Sequence, residues 1–120
     1  MAESIALRDA SDVLEPSSAG LYPLGEIPDG TQETLLRNGY SAAGLSSKPI
    51  TNRAWSDADL VINLSGRLRE IAFDDPAKVE DWRVADPYGA DPAFYQTILE
   101  ELQERIRLLA DRLRQQRKSQ

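Results

Sequence analysis

The chain has 120 residues, 41% of them apolar and 28% charged, a composition that fits one soluble globular domain with a single modest core. It holds no Cys, which excludes disulfides, thiolate catalysis and Cys-based metal sites. No apolar run approaches the roughly 20 residues of a membrane span, so a cytoplasmic chain without a membrane role is expected. The net charge of −6 is uneven: residues 1–104 carry 8 basic and 19 acidic side chains (net −11), residues 105–120 carry 6 and 1 (net +5), and the acidic body argues against nucleic-acid binding.

In chain order, "MAESIALRDA" predicts a short helix, since Ile5 and Ala6 follow Ala2 on one apolar face. "DVLEPSSAG" predicts an extended segment closed by Gly20, with Pro16 limiting how much of it enters a sheet. "DGTQETLLRNG" predicts a helix capped by Asp29 or Thr31, with Glu33 in its first turn and Gly39 as its stop. "TNRAWSDA" predicts a short capped helix that leads into "DLVINLS", an apolar, β-branched run expected as a buried strand. "VEDWRV" is a second strand candidate, with Val79, Trp82 and Val84 as its bulky residues.

The last element carries the clearest signal. Asp91 suits an N-cap and Pro92 a first helical position, and Phe94, Ile98, Leu102, Ile106, Leu109 and Leu113 recur at spacings of 4, 4, 4, 3 and 4. The basic run "RIRLLADRLRQQRK" suits the C-terminal end of that helix, where cations oppose the macrodipole. Helices alternating with apolar strands predict an α/β fold, three-layered, with a mainly parallel sheet.

Few side chains offer chemistry. Asp86, in "VADPYGAD", lies on a Pro-stiffened loop after a predicted strand, where a general acid could stand. Ser17 and Ser18 close an extended segment, but no His occurs to activate either. Asp57, Asp59, Asp74 and Asp75 match no EF-hand spacing and read as cap and loop residues, so no metal or cofactor is expected.

Several motifs occur in an order that carries a resemblance: "MAE" opening a helix, "SSAG", "GEIPD" before a helix ending "LLRNGY", then "SSKPIT", "DADLVINLS" and "VEDWRVADPYG" before a long terminal helix. From Met1 to about Leu113 the chain resembles the low-molecular-weight protein tyrosine phosphatases, and is similar to the thioredoxin-coupled arsenate reductases on the same scaffold. The resemblance implies a fold in which a Cys and an Arg separated by five residues, then Ser, form a phosphate-binding loop between the first strand and first helix. The thiolate attacks phosphorus, and an Asp in a late "DP" loop protonates the leaving group. By position, Asp86 matches that acid, Pro87, Tyr88 and Gly89 match its loop, and Tyr88 would line the substrate entrance.

The "MAE" that opens this chain follows the Cys-to-Arg loop in such proteins, so the resemblance implies a fold with its first strand and catalytic loop missing. The domain is expected over residues 1–114, with 115–120 as a basic tail. Three readings follow: a phosphatase or arsenate reductase cut short at its N-terminus, a non-catalytic binding or assembly domain of that family, or an unrelated α/β interaction domain. The first two leave Asp86 without a nucleophile in this chain, and phosphoprotein or arsenate is a substrate only if a catalytic loop lies upstream. The resemblance places the missing strand inside the sheet, so its loss leaves unpaired edges, and a homodimer through those edges or a shared helical face is expected.

Overall fold

The structure is a computed structural model that describes residues 1–20, 29–41, 49–73, 75–87 and 90–118. Asp74, Tyr88 and Gly89 lie outside the described residues. Helix α1 spans Ala2–Asp9 and buries Ile5 and Ala6 as expected, together with Ser4, while Ala2 is half-buried. The next stretch departs from expectation. Residues 11–13 form a turn, and among the described residues the predicted extended segment makes only one isolated parallel bridge, Gly20 to Pro49. Pro16 has no N–H to give a ladder at the centre of this stretch.

Helix α2, Asp29–Arg37, ends as Gly39 predicts. Gly39 takes φ +81°, Tyr40 N donates to Leu35 O at 2.9 Å and Gly39 N to Leu36 O at 3.2 Å, so the left-handed residue satisfies two terminal carbonyls. Helix α3, Asn52–Asp57, is capped by Thr51, whose Oγ1 accepts from Ala54 N at 3.0 Å. Strand β1, Val61–Asn63, pairs in parallel with β2, Val79–Asp81, with Val61 opposite Val79 and Asn63 opposite Asp81. Between them lie a one-turn helix, α4 (Arg69–Ala72), and a 3-10 turn (Pro76–Lys78), neither evident from periodicity at such length.

Helix α5, Pro92–Lys118, starts at the expected cap, where Asp91 Oδ1 accepts from Phe94 N at 2.9 Å. It continues unbroken past residue 114 to Lys118, so the described part of the basic tail, residues 115–118, is its last turn. The buried face is Tyr95, Ile98, Leu99, Leu102, Ile106, Leu109 and Ala110, with Leu113 packed at its margin, whereas Phe94 is 39% exposed. Helices α1 and α2 pack on α5, and Gly30 is required where α2 meets it: a Cβ there would fall 2.5 Å from the Tyr95 ring. The core joins Ile5, Leu35, Tyr40, Trp82 and this face of α5, giving an α/β fold whose parallel strands are flanked by helices.

Candidate functional site

The carboxyl ends of parallel strands are the usual ligand end of an α/β fold. Here β1 ends at Asn63 and β2 at Asp81, and a cleft of about 430 Å³ opens beside both. Its lining includes Asn63, Arg67, Leu68, Asp81, Trp82 and Arg83, with Val84 and Ala85 continuing along the segment that leads to Asp86.

Asn63 holds the two sides of the cleft together. Its side chain is buried, and a buried amide is costly unless bonded at both ends. Nδ2 donates to Asp81 Oδ1 and to Arg67 O, each at 2.7 Å; Oδ1 accepts from Ser65 Oγ at 2.6 Å and Ser65 N at 3.1 Å. Trp82 N donates to Asn63 O at 3.0 Å, the last contact before the chain leaves the pair. The run expected as a strand to Ser65 therefore ends at Asn63, because Ser65 folds back on that side chain. Gly66 follows with φ +82° and open space where a Cβ would stand.

The other side, residues 82–87, is backed by α5. Arg105 Nη2 donates to Arg83 O at 3.3 Å, and its guanidinium carbon sits 5.9 Å from the Trp82 ring centroid. Arg112 forks onto Glu80, both bonds 3.1 Å, and these bonds hold the Glu80 carboxyl below its ordinary pKa. Arginines read in the sequence as complements to a helix dipole thus also fasten α5 to β2 and its continuation. Val84, counted as a strand residue, lies past the ladder and packs half-buried on the core.

Asp86 is exposed on this continuation, and beyond it Ala90 N donates to Pro87 O at 2.8 Å. Tyr88, the expected entrance residue, falls outside the described residues. Ser18 Oγ donates to Glu3 Oε1 at 2.8 Å. Asp57 pairs with Arg53 at 3.6 Å and Asp75 caps the 3-10 turn through Ala77 N at 3.2 Å, while Asp59 is exposed. Among the described residues no group of three or more His, Cys, Asp or Glu gathers to hold a metal ion, and no helix is long and apolar enough to cross a membrane. Sequence reasoning passed over Asn63, Arg67 and Arg83; the one available signal was an Asn inside the apolar run "LVINLS".

The sequence profile of the low molecular weight phosphotyrosine protein phosphatases matches residues 1–119. The chain belongs to that family. Its membership removes the reading of an unrelated interaction domain. No curated protein matches the sequence. Among solved structures, the family chain is similar to the tyrosine phosphatase Wzb from Escherichia coli K30 in complex with sulphate, at 17% identity and TM-score 0.82, covering 93% of this chain and 87% of that one. A YwlE mutant from Bacillus subtilis aligns at 25% identity and TM-score 0.77, covering 94% and 88%. An arsenate reductase in its reduced state aligns at 24% and 0.77, covering 93% and 86%. The low identities of Wzb and the reductase bear on the fold alone.

Proposed function

We propose that this 120-residue chain, by itself, is a phosphatase-family domain that does not turn over phosphate esters. The observation that carries the reading is the sequence: the family's chemistry begins with a Cys thiolate, and the chain has no Cys and no His. In this reading Asp86 keeps the position of the family's general acid, and Tyr88 that of an entrance residue, without a nucleophile for either to serve. An exposed carboxyl can protonate a leaving group, but it forms no phosphoenzyme and supplies no cradle of donors for the transition state.

The test is incubation of the purified chain with p-nitrophenyl phosphate in mildly acidic to neutral buffer. Release of p-nitrophenol no faster than in buffer alone is expected. Turnover that co-purifies with the chain and is lost in Asp86→Asn would overturn the reading.

A further inference from the structure

We propose that the pair Asn38 and Gly39 is a self-modification site, an asparagine that deamidates through attack by the Gly39 amide nitrogen, and that Gln96, Thr34 and Arg8 hold it closed in the folded chain. The proposal does not depend on ester turnover, because its reactants are the chain's own backbone and water.

The chemistry needs an Asn whose following residue leaves its backbone nitrogen unshielded. Of the three asparagines, Asn38, Asn52 and Asn63, only Asn38 precedes Gly; Arg53 and Leu64 follow the others. Gly39 has no side chain to screen its nitrogen, and it is exposed to water. In the step, Gly39 N gives its proton to solvent base and bonds to Asn38 Cγ. The Cγ–Nδ2 bond breaks, and Nδ2 leaves as ammonia after taking a proton from water. Water then opens the five-membered imide at either carbonyl, leaving an aspartyl or isoaspartyl residue at position 38.

The groups that must move are tied down by α1, α2 and α5. Asn38 Nδ2 uses both of its N–H groups, on Thr34 O at 2.7 Å and on Gln96 Oε1 at 2.8 Å, and Oδ1 accepts from Gln96 Nε2 at 3.0 Å. The attacking atom, Gly39 N, donates to Leu36 O at 3.2 Å, and Arg8 Nη1 donates to the carbonyls of Asn38 and Gly39 at 3.2 and 3.0 Å. The same ties make the product unfavourable. A carboxylate has no proton for Thr34 O or Gln96 Oε1, and it would meet the negative end of the α2 dipole. The isoaspartyl form also adds a backbone atom inside the cap that Gly39 makes. Deamidation therefore loosens the junction of α2 with α5, and does so irreversibly.

The test ages the whole chain in mildly alkaline buffer, folded and in concentrated urea. Peptide mapping by mass spectrometry follows the amide-to-acid mass gain at each asparagine, with Asn52 and Asn63 as controls in the same digest. In urea Asn38 is expected to react fastest of the three, and in the folded parent to react at least about tenfold more slowly than in urea. Gln96→Ala, checked for a folded far-ultraviolet spectrum, is expected to react about tenfold faster than the folded parent, since it releases both ends of the Asn38 amide. Should that variant not fold, Arg8→Ala removes the ties to the two carbonyls and is read in the same way. Deamidated chain, separated by anion exchange through its added negative charge, is expected to melt below fresh chain. Four results would each overturn the proposal: Asn38 reacting as fast in the folded parent as in urea, Asn38 trailing Asn52 or Asn63 in urea, a folded variant reacting at the parent's rate, or deamidated chain melting like fresh chain.

Discussion

Asn63 and Asp86 show how differently single residues announce themselves. The "DPYG" around Asp86 is a local pattern, legible from neighbours in sequence whatever the role of that carboxyl. Asn63 was not legible, because its main partner, Asp81, lies 18 residues away and only strand pairing brings them together. The two also differ in energetic weight. Asn63→Ala leaves Asp81 Oδ1, the Arg67 carbonyl and the Ser65 amide without their buried partner, and an unsatisfied group of this kind costs about 1–3 kcal/mol. Asp86→Asn, at an exposed position, should change stability by no more than about 0.5 kcal/mol. Urea melts of the two variants side by side check this. Equal losses would mean that Asp86 has a structural role or that water replaces the Asn63 network.

At the scale of elements, legibility followed length and capping. Helix α5 was readable from its Asp-Pro start and its period, and the error lay in phase. Phe94 belongs to the first turn and stays half in solvent, while Tyr95, Leu99 and Ala110 widen the stripe towards α1 and α2. The Gly39 stop was readable because a left-handed residue is a local demand. The strands were overestimated for the opposite reason: a strand ends where its hydrogen bonds are redirected, and Asn63 and the Ser65 turn redirect them after three residues. Helix α4, at four residues, is too short to show a period. The well-placed stripe carries a prediction. Leu102 is 5% exposed at mid-helix beside Leu99 and Ile106, so Leu102→Ala should cost about 2–5 kcal/mol through lost burial and a cavity. Thermal and urea melts measure it, and a parent-like melt would place Leu102 outside the core.

Across the whole molecule, the uneven charge seen in the sequence becomes a set of fastenings. Arg114 forks onto Asp12 at 2.8 Å through both nitrogens, Arg117 donates to Asp12 O at 2.8 Å, and Arg112 holds Glu80, so the basic end of α5 is joined both to the turn after α1 and to β2. The Asp12 carboxyl is lowered to about 2, chiefly by its hydrogen bonds from Arg114, and Glu80 is lowered by Arg112. Both groups are depressed in the fold, so their contribution is complete above the ordinary carboxylate range, roughly 4, and drains away as pH falls towards about 2 for Asp12. The unfolded chain then binds more protons, and stability falls with acid. These pairs are largely solvent-facing, so each adds little alone and salt weakens them. Melting temperatures of the parent and of Arg114→Ala, followed from neutral pH into acid, separate the charge from the packing of the arginine stem. The gap between the two proteins should be widest near neutrality at low salt and close as Asp12 is protonated. A gap that stays constant down to about pH 2 would mean that Arg114 acts through its aliphatic stem and that the fastening is not electrostatic.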